Sequence, residues 1–360
     1  MSSTSQVRLI EAGPVSPVTL VVMSDPAHGI EATVAPAAGG EISSLKWQGQ
    51  ELLYRANLFE DPGAGGWRGR APLLWPAVGR GYGPNRRHQV LVGGADPNQG
   101  SFWYKGVEWP MPIHGFAFRR SWAVIELGGE PRPWVWLRLR SDEETRRYYP
   151  FDFVLEVVHE LRPGALRSTY RVQARSDGLI CSFGNHLTLA LPGDENAFDQ
   201  TTVKVSSPAA HLLELYPPGL VTGISRPIPD LSRGGVRLAD PAYLDAVVGG
   251  FTSAPARLEV RHPELPPIVV SQWGRRLAEP APRPPAYESG PVEDDPFGLS
   301  PAHYHFVLWG SRTQRFFCPE PWYGLPDSLN RRDGIILLGA GESAEWVMEV
   351  RVGGEMELPS

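Results

Sequence analysis

Cysteine is almost missing from this chain: of 360 residues only Cys181 and Cys318 carry a thiol. That excludes the disulfide framework of a small secreted scaffold, and the two are read as buried free thiols. Long apolar runs are missing too. No stretch of about 18 apolar residues, enough to cross a bilayer as a helix, occurs anywhere. The opening MSSTSQVRLIEAG has neither the basic nor the apolar region of a signal peptide. A cytoplasmic protein with no membrane partner is expected. An excess of positive charge is also lacking, since 34 Lys and Arg face 40 Asp and Glu for a net charge of −6. Without a basic field there is nothing general to attract nucleic acid, and a small polar ligand fits better. The assembly expected is a monomer or homodimer.

Several catalytic signatures are absent as well. There is no Gly-x-x-x-x-Gly-Lys-Ser/Thr phosphate loop, no Gly-x-Ser-x-Gly elbow and no His-Glu-x-x-His zinc motif. Gly79-Arg80-Gly81-Tyr82-Gly83 is glycine-rich, but it has the wrong spacing for a dinucleotide and no helical pattern follows it, so a loop is expected. His303-Tyr304-His305 would set two imidazoles on one side of a strand; no third ligand can be named, and no metal or other cofactor is expected. Arg86-Arg87-His88 suits either an anion such as a sugar phosphate or a solvated loop.

What is present is apolar surface in short pieces. Hydrophobic residues make up 42% of the chain and include 12 Trp, enough for a core and for platforms on which a sugar could stack. With 39 Gly and 37 Pro the chain is cut into short segments joined by turns. Period-2 alternation, which sends successive side chains to opposite faces of a strand, is the clearest signal. Leu166, Ser168, Tyr170, Val172 and Ala174 alternate with Arg167, Thr169, Arg171, Gln173 and Arg175, the pattern of a sheet with one wet face. Phe151, Phe153, Leu155, Val157 and Leu161 share one phase before Arg162-Pro163-Gly164, which predicts a hairpin. The segments 134–140, 257–261 and 346–352 read the same way. Helical periodicity is scarce, with a short polar helix over Ser141 to Arg147 the best candidate. Asp61 to Gly69 and Pro280 to Pro301 read as loops, with strand-like sequence resuming at His303. The expectation is an all-β fold, residues 1–360 forming one domain of two large sheets packed face to face.

Separated segments then carry a family likeness over most of the chain. They are Gly39 to Leu45 with Gly49 to Tyr54, Trp75 to Arg80, Ile113-His114-Gly115-Phe116, Tyr149-Pro150-Phe151, Gly184-Asn185-His186 and Cys318-Pro319-Glu320-Pro321-Trp322-Tyr323-Gly324. In order and spacing the chain resembles the aldose 1-epimerase family, the sugar mutarotases. The resemblance implies a galactose mutarotase-like supersandwich of mostly antiparallel sheets, with the site on a concave sheet face. It implies that His186 is the acid and Glu320 the base, converging on opposite sides of one cavity. Arg80 and His114 match positions that hold sugar oxygens, and Asp245 matches a hydroxyl-binding aspartate, with Asp240 as competitor.

The chemistry suits these residue types. Opening a cyclic hemiacetal needs a base for the anomeric hydroxyl proton and an acid for the ring oxygen, each worth about a hundred- to ten-thousandfold in rate. Histidine titrates near neutrality, and a partly buried carboxylate has a raised pKa. Trp75 and Trp322 flank the motifs and read either as sugar platforms or as core. The run Leu187-Thr188-Leu189-Ala190 after His186 and the Cys-Pro-Glu-Pro-Trp setting of Glu320 depart from the galactose mutarotases, so galactose is not assumed as substrate. A hexose-6-phosphate mutarotase, from Arg80, Arg86 and Arg87, and a non-catalytic carbohydrate-binding protein are the competing readings.

Overall fold

The hairpin read from alternation forms as expected, and the rest of the architecture is built outward from it. In the computed structural model, which describes residues 5–12, 18–56, 67–277 and 295–356, strand Phe153–Arg162 pairs antiparallel with strand Ala165–Ala174. Pro163 and Gly164 make the turn, and Gly164 has a φ of 64°, which glycine adopts without the clash a Cβ would bring. These strands lie inside a nine-stranded sheet whose order across is 236–237, 202–205, 256–262, 265–277, 343–352, 165–174, 153–162, 134–140 and 123–128.

A second large sheet runs 220–227, 211–216, 246–249, 304–311, 316–323, 183–185 and 73–74, with 189–190 also paired to 316–323. It packs on the first through one continuous apolar core. Phe183 stacks 5.9 Å from Trp346 across the gap. Gln272 bridges the sheets, its amide donating to the His305 carbonyl while its oxygen accepts from the Trp346 indole. A five-stranded meander, 6–12 to 50–51, covers the same layer, and there His159 Nε2 donates to the Gly40 carbonyl. The fold is all-β.

The face expected to be wet is charged but covered. Registers across five strands set Arg138, Glu156, Arg171, Glu345 and Arg275 in one row. A parallel row holds Trp134, Glu160, Arg167, Glu349 and Ser271, and between them lies Trp136, Val158, Thr169, Val347 and Trp273. Arg275 meets Glu345 at 2.8 Å and Arg167 meets Glu349 at 2.7 Å. Arginine guanidinium groups also lie on indoles, Arg138 over Trp136 and Arg167 over Trp273, so the long side chains cover one another.

Other expectations need correction. Ser141 to Arg147 yields only a single turn at Thr145–Arg147. An eight-residue helix, Pro84–Leu91, directly follows Gly83, where no helical pattern was read, and Arg86, Arg87 and His88 lie on it and not in a loop. Of the two expected loops, residues 61–66 and 280–294 lie outside the described residues. His303 sits in a turn before strand Tyr304–Ser311, so it does not share a strand face with His305.

Candidate active site

The second large sheet has two unlike faces, and the site occupies the one turned away from the main core. On strand Tyr304–Ser311, Tyr304, Phe306 and Leu308 enter that core, while Val307 gathers with Val247, Leu74, Val78 and Trp322 on the opposite face. On the neighbouring strand Phe316–Tyr323, Phe317 and Tyr323 face the core, so alternation sends Cys318, Glu320 and Trp322 to the other side. Glu320 lies opposite Val307 in the register, between Pro319 and Pro321. The prolines fix φ on both sides of it. Strand Phe183–Asn185 pairs with the far edge of this strand and delivers His186 just beyond its end. The approach depends on Gly184, whose Cβ would lie 2.8 Å from both Trp322 Cδ1 and Val78 Cγ1.

His186 Nε2 and Glu320 Oε1 are 3.5 Å apart. The pair was expected on opposite sides of a cavity; here the two groups face each other directly and are buried, 7% and 2% exposed. Each is held from behind by an indole. Trp67 Nε1 donates to His186 Nδ1 at 3.2 Å, and Trp322 Nε1 donates to Glu320 Oε2 at 3.2 Å. Because Nδ1 accepts, the neutral imidazole carries its hydrogen on Nε2, the atom facing Glu320. Burial lowers the His186 pKa and raises that of Glu320, and the nearby Asp245 carboxylate raises Glu320 further against the bond from Trp322. Both directions favour uncharged forms in the free protein.

The remaining candidates gather around this pair to different degrees. His114 lies beside it, its ring 5.5 Å from that of His186 and 5.8 Å from that of Trp322. Its ring Nδ1 accepts from the Gly79 N–H at 3.1 Å while the His114 backbone N–H donates to the Gly79 carbonyl. Burial, His186 and Arg80 hold its pKa well below the usual histidine value, so it stays a neutral ring with Nε2–H as donor. Arg80 is half-buried and committed, donating to Asn98 Oδ1 at 2.9 Å and to the Pro218 carbonyl at 2.9 Å. Asp245 acts electrostatically on Glu320, whereas Asp240 accepts from the Ala242 N–H as a turn cap, which favours Asp245 of the two. Trp75 is no sugar platform: it is fully buried against Phe116, Tyr149 and Phe153. His305 does not meet His303 as a metal pair, since the His303 ring packs on Tyr323. Among the described residues the one three-membered cluster of metal-ligating types is His186, Cys318 and Glu320.

The family model for aldose 1-epimerases matches residues 19–239. The chain belongs to the aldose 1-epimerase family. The matched region takes in Arg80, His114 and His186 and stops before Asp245 and Glu320. Similar solved structures span nearly the whole length of this family member. A galactose mutarotase-like protein from Clostridium acetobutylicum is 18% identical with a TM-score of 0.70, covering 97% of this chain and 99% of that one. A galactose mutarotase related enzyme from Lactobacillus acidophilus is 19% identical with a TM-score of 0.67, covering 99% and 100%. A galactose 1-epimerase from the same organism is 12% identical with a TM-score of 0.68, covering 98% and 100%. At such identities the likeness is one of fold. No curated protein matches the sequence. Family membership supports a sugar mutarotase-type isomerase.

Sequence reasoning missed two residues of this candidate site. Trp67 had a signal, a lone indole in the glycine-rich run Gly65-Gly66-Trp67-Arg68-Gly69. Trp309, whose ring is 5.5 Å from His186 and 5.0 Å from Trp67, had none beyond strand alternation.

Proposed function

We propose that this protein is a mutarotase that interconverts the α and β anomers of a free aldose, with Glu320 as base and His186 as acid. The observation that carries the reading is the 3.5 Å approach of Nε2 to Oε1 with both far atoms held by indole N–H groups. A sugar seated between the two replaces their direct contact. Glu320 takes the anomeric hydroxyl proton, the C1–O5 bond breaks as the C1 carbonyl forms, and His186 protonates O5. Rotation about C1–C2 and the reverse steps close the ring on the other face.

The neutral pair and the imidazolium–carboxylate pair hold the same two protons, so the resting form becomes the working form without net uptake from solvent. Sugar hydroxyls favour the charged form by replacing a dry contact. The second imidazole proton belongs on Nδ1, the atom that Trp67 covers in the free protein, so loading the acid requires the indole to give way. Arg80, His114 and Asp245 are proposed to hold sugar hydroxyls. A free sugar is favoured over a phosphorylated one because Arg87 is paired with Asp327 at 2.5 Å.

Anomer exchange followed by NMR tests this. Glu320→Gln keeps the shape but cannot accept the proton, and exchange is expected to fall by about a hundred- to ten-thousandfold with sugar affinity still measurable by calorimetry. His186→Asn should match it, and the double variant should be little worse than either single one. Wild-type exchange in Glu320→Gln would overturn the assignment of the base.

A further inference from the structure

Cys318 lies on the same strand face as Glu320, two residues away, and takes no part in the proton transfers described above. It is fully buried, and its Sγ–H has a long bond of 3.5 Å to Thr188 Oγ1. One ligand atom each from His186, Cys318 and Glu320 lies within 4.8 Å of the other two. We propose that this trio is a capture site for a borderline or soft divalent cation such as Zn²⁺ or Cd²⁺, and that its occupancy arrests turnover.

The donor set selects the ion. One imidazole nitrogen, one thiolate and one carboxylate match the three protein ligands of open tetrahedral zinc sites, with the fourth position left to water. The same set is poor for Mg²⁺ or Ca²⁺, which prefer oxygen ligands in larger number. Ion–ligand bonds of about 2.0–2.3 Å set tetrahedral ligand atoms roughly 3.3–3.8 Å apart. His186 and Glu320 already stand at 3.5 Å, and with all three ligand atoms within 4.8 Å of one another a closure of about 1 Å brings the set to that spacing. Cys318 gives its thiol proton to solvent on binding and Glu320 its carboxyl proton, while the His186 hydrogen moves from Nε2 to Nδ1 as the Trp67 indole gives way there. The ion then occupies the atoms that would move protons. The arrest rests on the mutarotase reading, since it takes His186 and Glu320 to be the proton carriers; the binding does not.

The test uses Cd²⁺ as probe on the full chain, with the ultraviolet cadmium–thiolate absorption as one readout and anomer exchange as the other. Wild type is expected to show the band at one Cd²⁺ per chain, to lose exchange in step with it and to recover both on chelation. Cys318→Ser, judged folded by its melting transition, should exchange anomers at the wild-type rate, lack the band and bind Cd²⁺ at least about 100-fold more weakly. Cys181→Ser should behave as wild type. No band in the wild type, or an undiminished band in Cys318→Ser, would overturn the site. A full band with undiminished exchange would overturn the arrest. The absorbance needs neither sugar nor turnover, so the metal site stands or falls on it even if the mutarotase reading fails.

Discussion

An indole nitrogen sets the tautomer of His186. Because Trp67 donates to Nδ1, it stabilises the neutral ring, and a donor to the neutral form of a base lowers its pKa. Trp67→Phe keeps an aromatic ring beside Trp309 and Phe316 but removes the donor. The His186 pKa is expected to rise by about one unit, the worth of a hydrogen bond of roughly 1.4 kcal/mol, with the matching limb of the pH–rate profile moving to higher pH. NMR titration of the ring checks this, and an unmoved pKa would mean that the indole is a spectator. His159 offers a second residue-scale prediction. Burial lowers its pKa from 6.5 to about 4. The native state therefore binds fewer protons than the unfolded state between these values. Its stabilising share is complete above pH 6.5 and shrinks as pH falls toward 4, a loss of roughly 3 kcal/mol. Melting temperature should fall as pH is lowered through that window, and less steeply in His159→Gln.

Local geometry at the element scale decides how the site is presented. His114 and Gly115 both adopt positive φ, 65° and 72°, so that the chain turns the His114 ring toward His186. A Cβ on Gly115 would lie 2.2 Å from the Trp75 carbonyl oxygen. Gly115→Ala is expected to cost at least roughly 2 kcal/mol and to weaken sugar binding through His114, read by melting and by calorimetry. The strands were legible in the sequence because one apolar and one charged face leave a period of two, as in the 153–162 and 165–174 hairpin, although both faces are buried. The helix Pro84–Leu91 was not, since none of its residues is buried and it leaves no apolar stripe to read. Ser141 to Arg147 misled for a related reason: reciprocal bonds between Asp142 and Thr145 hold one turn, and nothing apolar extends it. At the site, His186 and Glu320 were legible through family segments. The Trp67 contact was not, because it joins positions far apart in the chain and depends on the fold.

The apolar core runs without a break through the layers of the whole molecule, and we propose that residues 1–360 unfold as one domain, giving a single calorimetric transition. Glu345, 2% exposed, sits between Arg171 at 3.6 Å and Arg275 at 2.8 Å. Glu345→Gln leaves two guanidinium groups against an uncharged amide and is expected to lower that transition, by roughly 3 kcal/mol in stability. The rows containing Glu345 also bear on how the sheet finds its pairing. Alternation of apolar residues forbids a strand to slip by one position, since every side chain would change face, but it is blind to a slip of two. The charges are not blind to it. Strand Ala165–Ala174 offers Arg167 and Arg171, and its neighbours offer Glu156 and Glu160 on one side and Glu345 and Glu349 on the other, each pair four residues apart. Displacing that strand by two would set Arg171 against Val347 or Thr169 against Glu345, breaking the ion pairs on both flanks while the core stayed apolar. The rows act as a vernier, rejecting misalignments that burial alone would accept.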